Sequence, residues 1–139
     1  MTVTSLADFR GLWTLTRRIE DARAGEVLAL TGTARFSDDV EGLICEEAGT
    51  LTRAGQPPMT ATRRYLWRQS GPRIEVLFED GRPFHGFAPG PRASAKHDCM
   101  PDTYEVEYDF TRWPDWRAIW TVRGPRKDYV MVSDYTLSG

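Results

Sequence analysis

Hydrophobic and polar residues alternate along ten short segments of the chain. In the first segment, Trp13, Leu15 and Ile19 share one face with Arg17, and the positions between them are mostly polar. Alternation with a period of two residues is typical of β-strands that bury one face. Turn-forming residues separate these segments at regular intervals. Ten such strands predict an all-β fold. An up-and-down antiparallel β-barrel is favoured because closure removes exposed edges, and a two-sheet sandwich is the alternative.

Three local signals refine this architecture. Ser5 and Asp8 have the spacing of a capping box and Gly11 can end a helix, so a short N-terminal helical turn is expected. Asp80-Gly81 predicts a two-residue hairpin turn. The sixth segment, residues 82–87, is ambiguous because Phe84 and His85 have opposite parity, so either side chain can point inward.

Size and charge limit the possible functions. The 139 residues suffice for a single domain, residues 1–139, and the net charge of −2 lacks the strong basic excess of a non-specific nucleic-acid binder. No segment approaches the ~20 apolar residues of a membrane-spanning helix. The N-terminus does not resemble a signal peptide, and the two cysteines, Cys45 and Cys99, are expected to be reduced thiols. A cytoplasmic protein is therefore expected.

The faces expected to point inward carry many polar groups. One interpretation is that they pair with each other, for example Glu47 with Arg17 or Arg63. The other is that they orient a small molecule in a cavity walled by Trp67, Phe78 and Trp120. The inward charges have an excess of one positive charge, which favours a polar-aromatic or weakly anionic ligand. The candidate ligand-binding residues are Arg17, Glu47, Arg63, Tyr65, His97, Asp102, Tyr104, Trp120, Lys127 and Tyr129.

His97 and Cys99 lie two residues apart, so on a strand they share a face. They could form a thiol–imidazole pair or contribute two metal ligands. The chain has no CxxC or HxxxH spacing, and a buried cysteine beside a hydrogen-bonded histidine is the favoured interpretation. No catalytic residue, metal or cofactor is therefore predicted. A haem would need His85 or His97 as its axial ligand.

Three functions remain open. The favoured one is a barrel that binds a small molecule, with no nucleic-acid or membrane partner. A cofactor-independent isomerase, cyclase or hydrolase would use His97 as general base, with Asp102 or Glu47 orienting it and Arg63 stabilising an oxyanion. An interaction module would oligomerise, for example as a homodimer, through a barrel edge or the turn at residues 113–116.

Two sequence patterns resemble known families. Gly11-Leu12-Trp13 resembles the Gly-x-Trp signature of lipocalins and other calycin barrels. This resemblance implies that Trp13 plugs the closed end and that a late-strand arginine, for which Arg123 is the candidate, packs over it. Most of the chain is also similar to an uncharacterised bacterial family, the domain of unknown function numbered 6314. That family implies a lipocalin-like barrel without an established activity. The matching segments are Trp13–Asp21, Glu47–Leu51, Arg63–Trp67, Asp80–His85, His97–Tyr104 and Trp120–Tyr129.

Overall fold

The computed structural model describes residues 2–138. A short 3₁₀ helix at Leu6–Phe9 precedes ten strands. No helix among these residues is long and apolar enough to cross a membrane. The strands are β1 Gly11–Asp21, β2 Glu26–Asp38, β3 Leu43–Arg53, β4 Met59–Ser70, β5 Arg73–Phe78, β6 Pro83–Phe87, β7 Arg92–Cys99, β8 Asp102–Asp109, β9 Trp116–Gly124 and β10 Lys127–Leu137.

All ten strands form one antiparallel sheet that curls into a nearly closed barrel. Their order is β6-β5-β4-β3-β2-β1-β10-β9-β8-β7, so the first and last strands pair with each other. Every strand except β6 pairs with the next one along the chain, and a seam without a ladder of hydrogen bonds separates β6 from β7. The predicted ten-stranded antiparallel barrel is confirmed, and the sandwich is not formed.

The local signals at the two predicted turns have different outcomes. The Asp8 carboxylate accepts hydrogen bonds from the backbone N–H groups of Thr4 and Ser5, which confirms the capped helical turn. Gly81 has φ +89°, a value that favours glycine. However, the connection between β5 and β6 spans residues 79–82, so the predicted two-residue turn is wrong.

A cluster of aromatic side chains fills the closed end of the barrel. Trp13 is fully buried, and its Nε1 donates a hydrogen bond to the Phe9 carbonyl oxygen at 2.8 Å. Trp13 therefore plugs this end, as the lipocalin-like signature implies. Around Phe9 and Trp13 pack Phe36, Trp67, Phe110, Trp113 and Trp116.

The arginine expected over Trp13 is not Arg123. Trp13 pairs with Leu137 at the end of β10, whereas Arg123 pairs with Asp128 near the start of that strand. Arg123 is also exposed. It lies beside the β9–β10 turn, at the opposite end of the barrel, so the expectation for this residue is wrong.

Candidate functional site

The barrel encloses a cavity of about 290 Å³ on the open side of the aromatic plug. Its walls combine aromatic rings with a few charged and phenolic groups. Eight of the ten candidate binding residues line it: Arg17, Glu47, Arg63, Tyr65, His97, Tyr104, Trp120 and Tyr129. The other two, Asp102 and Lys127, are not part of the lining. Alternation along the strands therefore places most of these side chains around one space.

The inner part of the cavity holds a buried ion pair. Arg17 and Glu47 are each 8% exposed, and Arg17 Nη2 donates to both carboxylate oxygens of Glu47, at 3.0 and 3.2 Å. Arg17 Nε donates to Ser133 Oγ at 2.7 Å, and the Tyr135 hydroxyl donates to Glu47 Oε2 at 3.0 Å. Burial alone would lower the pKa of Arg17, but the Coulombic interactions and hydrogen bonds with Tyr135 and Glu47 outweigh it and raise that pKa. The internal pairing considered from the sequence is thus present, with Arg17 as the partner of Glu47.

Asp102 and Lys127 form a cluster at the open end of the barrel. Lys127 Nζ donates to the Tyr104 hydroxyl at 2.7 Å and lies 3.2 Å from Asp102 Oδ2. The hydrogen bond to Tyr104, followed by the one to Asp102, raises the pKa of Lys127. The Asp102 side chain packs so closely on Gly124 that a Cβ at that glycine would collide with it. These two residues hold Tyr104 in place and do not face the cavity.

Arg63 is the exposed cation of the cavity wall. Its guanidinium makes no hydrogen bond or ion pair with any residue between 2 and 138. Arg64, the next residue on β4, donates to Glu46 and Glu79 on the outer face of the barrel. Arg17, Arg63 and Glu47 together leave the lining with an excess of one positive charge.

His85 is a buried lining residue that the sequence did not assign. Its Nε2 lies 2.7 Å from the Tyr108 hydroxyl, and its Nδ1 is occluded without a partner in the described chain. Burial, followed by the charge of His97, lowers the pKa of His85 from 6.5 to about 3, so the ring is neutral at pH 7. Burial likewise raises the pKa of Tyr108. The pair therefore forms a neutral hydrogen bond inside the wall.

Both Phe84 and His85 line the cavity, which resolves the ambiguity of the sixth segment. The register between β5 and β6 shifts between Val76 and Leu77, so simple alternation does not hold at this edge. The Phe84 ring stacks on Trp120, with centroids 5.0 Å apart and planes 8° apart. Phe84 thus reaches from the edge strand β6 across the interior to β9.

His97 and Cys99 do not form the arrangement favoured from the sequence. Cys99 is exposed, and His97 packs against Phe78 and Phe84 without a hydrogen bond to any residue from 2 to 138. The interpretation as a buried cysteine beside a hydrogen-bonded histidine is therefore wrong. Within the described residues, no three His, Cys, Asp or Glu side chains cluster as metal ligands would.

The enzymatic alternative needs a carboxylate that orients His97. The two candidates are engaged elsewhere, Asp102 by Lys127 and Glu47 by Arg17. Across residues 2–138, His97 has no hydrogen-bonded carboxylate. The geometry expected of a general base and its orienting group is absent from the described part of the barrel.

The turn at residues 113–116 does not present its tryptophans as a docking surface. Trp116 is buried and stacks on Tyr135 with centroids 3.8 Å apart, and Trp113 packs on Phe9. These rings belong to the plug of the barrel. The oligomeric alternative stays a prediction without support from this turn.

Comparison with known proteins places the whole barrel in one family. The family model described as "Family of unknown function (DUF6314)" matches residues 9–137. The chain belongs to DUF6314. No curated protein matches this DUF6314 chain. Among solved structures, it is similar to the S-type phycobiliprotein lyase CPES from Guillardia theta, with a TM-score of 0.58 and 9% identity over 96% of this chain and 90% of that one. At this identity the likeness shows a shared fold for the DUF6314 barrel and nothing finer.

Proposed function

We propose that this protein binds one small molecule, polar-aromatic or weakly anionic, inside its barrel. The observation that carries the proposal is the unfilled space of about 290 Å³ among aromatic walls. Protein interiors are normally packed to the density of organic crystals, and small barrels either fill their interior with side chains or hold one ligand. A volume at the lower end of the usual range for ligand pockets, about 300–1,000 Å³, suits a small molecule.

The chemistry of the lining supports this ligand class. Aromatic rings such as Tyr65 and Trp120 offer apolar faces with little conformational entropy to lose. The buried carboxylate of Glu47 is fully engaged by Arg17 and Tyr135, whereas Arg63 has no carboxylate partner within residues 2–138. A ligand with an aromatic body and a negative or electron-rich group is complementary to such a wall.

The structural likeness contributes at the level of the fold. The Guillardia theta protein is named as a phycobiliprotein lyase and shares the barrel architecture over most of both chains. This likeness supports the barrel fold of this chain. The ligand class proposed here depends on the residues of this cavity.

Native mass spectrometry of the protein purified from its own cells tests the proposal. The expected spectrum contains a species heavier than the chain by one small molecule, which disappears under denaturing conditions. Ala118 lines the cavity and is buried, so Ala118→Leu should reduce the occupied fraction by filling part of the space. Ala48→Leu is the matched control because Ala48 is exposed on the outer face. A spectrum with only the bare chain, or equal occupancy in both variants, would contradict internal binding.

Four further features belong to the proposal. We infer a single-domain protein that resides in the cytoplasm, acts without a nucleic-acid partner and forms a homodimer. The near-neutral charge supports the absence of a nucleic-acid partner. Cell fractionation tests the location, and light scattering tests the assembly. A purely monomeric solution would contradict the dimer without touching the ligand site.

A further inference from the structure

The two arginines that line the cavity, Arg17 and Arg63, differ in the hydrogen bonds and charge that they can offer a ligand. Arg17 uses Nε on Ser133 and Nη2 on Glu47. Its Nη1 has no hydrogen-bond partner in residues 2–138 and is not among the occluded nitrogen atoms. Because Arg17 lines the cavity and is 8% exposed, the two N–H groups of Nη1 are donors available only from inside the barrel.

The charge of Arg17 is already neutralised. Glu47 lies 3.0 Å from its guanidinium, so an incoming anion would meet a carboxylate as well as a cation. A neutral acceptor such as a carbonyl oxygen can take the free N–H groups without that repulsion. The inner end of the cavity therefore suits an uncharged hydrogen-bond acceptor.

The outer end has the opposite character. Arg63 is exposed, lines the cavity and, within the described chain, has no carboxylate partner. A planar guanidinium with free donors suits a carboxylate, which it can bind with two parallel hydrogen bonds. Aromatic residues including Tyr65 and Trp120 line the same cavity as the two arginines. A flat ring suits these aromatic walls.

We propose that the ligand is an aromatic carboxylate with a carbonyl group at its opposite end, and that it enters with the carbonyl inward on Arg17 and the carboxylate outward on Arg63. This inference rests on the proposed function and adds the ligand's class and direction. It assigns different recognition roles to two residues that the sequence placed in one undifferentiated set.

Three probes of nearly equal shape test the direction by calorimetric titration: para-acetylbenzoate, para-acetylbenzamide and para-ethylbenzoate. Replacing the carboxylate with the amide should weaken binding by about fivefold or more, because the charge-assisted contact with Arg63 is lost. Replacing acetyl with ethyl should weaken it by about three- to tenfold, because Arg17 Nη1 loses its acceptor.

Variants assign each preference to one arginine. Arg63→Gln should abolish the preference for carboxylate over amide while keeping the preference for acetyl over ethyl. Arg64→Gln is the matched control, since this residue lies next on the same strand with its guanidinium on Glu46 and Glu79 outside the barrel. Arg17→Lys keeps a cation beside Glu47 but removes Nη1, so only the preference for acetyl should disappear.

Several results would overturn the inference. They are equal binding of the benzoate and the benzamide, an unchanged carboxylate preference in Arg63→Gln, or no binding of any probe at millimolar concentration. If Arg17→Lys fails to fold, the acetyl and ethyl probes on the unaltered protein still decide the inner contact. If the mass spectrum shows a co-purified ligand but the protein shows none of these preferences among the probes, the proposed function stands and the proposed direction of binding is refuted.

Discussion

Replacing His85 with glutamine should remove part of the protein's sensitivity to acid. His85 is 8% exposed, and burial, followed by the charge of His97, lowers its pKa from 6.5 to about 3. As the pH falls below 6.5, the unfolded chain takes up a proton at this residue that the folded chain does not bind. The folded state is therefore stabilised relative to the unfolded state above pH 6.5, and that stability is lost as the pH falls toward 3.

The magnitude follows from proton linkage. A difference of one bound proton changes the free energy of unfolding by about 1.4 kcal/mol per pH unit. Integrated from pH 7 to pH 5 for an unfolded pKa of 6.5, the loss from His85 is about 2 kcal/mol. The folded-state pKa lies below this interval, and most carboxylates titrate below it. Carboxylates therefore contribute little over this interval, and the comparison with His85→Gln assigns the remaining difference to His85.

Urea unfolding followed by tryptophan fluorescence at pH 7 and pH 5 provides the assay. Glutamine does not titrate and can still accept a hydrogen bond from the Tyr108 hydroxyl, which His85 Nε2 contacts in the structure. The unaltered protein should lose about 2 kcal/mol more than His85→Gln between the two pH values. Parallel losses in the two proteins would refute the assignment of His85 as a buried neutral base.

Three other substitutions test separate parts of the structure. Glu47→Ala should lower the free energy of unfolding by about 3–5 kcal/mol because it leaves a buried arginine unpaired, whereas Glu46→Ala, which breaks an exposed pair, should cost less than about 1 kcal/mol in the same urea assay. Gly32→Ala directs a Cβ into the backbone of the neighbouring strand and should cost about 1–3 kcal/mol, but Gly90→Ala, with its nearest heavy atom at 3.8 Å, should leave the melting temperature nearly unchanged. Equal effects within either pair would contradict the packing described. Phe84→Ala should enlarge the cavity and strengthen binding of the bulky fluorescent probe anilinonaphthalene sulfonate, and unchanged fluorescence would show that the ring does not limit the space.

Alternation along the strands predicted most of the architecture, because successive side chains of a strand point to opposite faces and only one of these faces the barrel interior. Arg17 and Glu47 lie on regular strands with one buried face, so parity correctly placed both inside. Parity did not identify the partner of Glu47. Arg63 is its direct neighbour on β4, yet Arg17 makes the ion pair from β1, with strand β2 between β1 and β3. A long side chain can pass over a neighbouring strand, so the strand register alone does not identify its partner.

The structure departs from the simple alternation of the sequence at strand ends and at the edge. Asp102 and Lys127 share the inward parity of their strands, but each begins its strand at the open end, where the side chains reach water and each other. His85 lies on a five-residue edge strand next to a register shift, so its direction depends on a backbone irregularity that composition does not reveal. Cys99 is the last residue of β7 and pairs with Asp102, so it also lies at the open end of the barrel, where it is exposed.

The cavity among the aromatic walls is proposed to bind one small-molecule ligand. A crystal structure of the protein purified from its own cells tests it most directly. The expected result is electron density for one small molecule between Arg63 and Trp120, with the Arg17–Glu47 pair intact beneath it. An interior filled by the protein's own side chains, with no space at this position, would contradict the account.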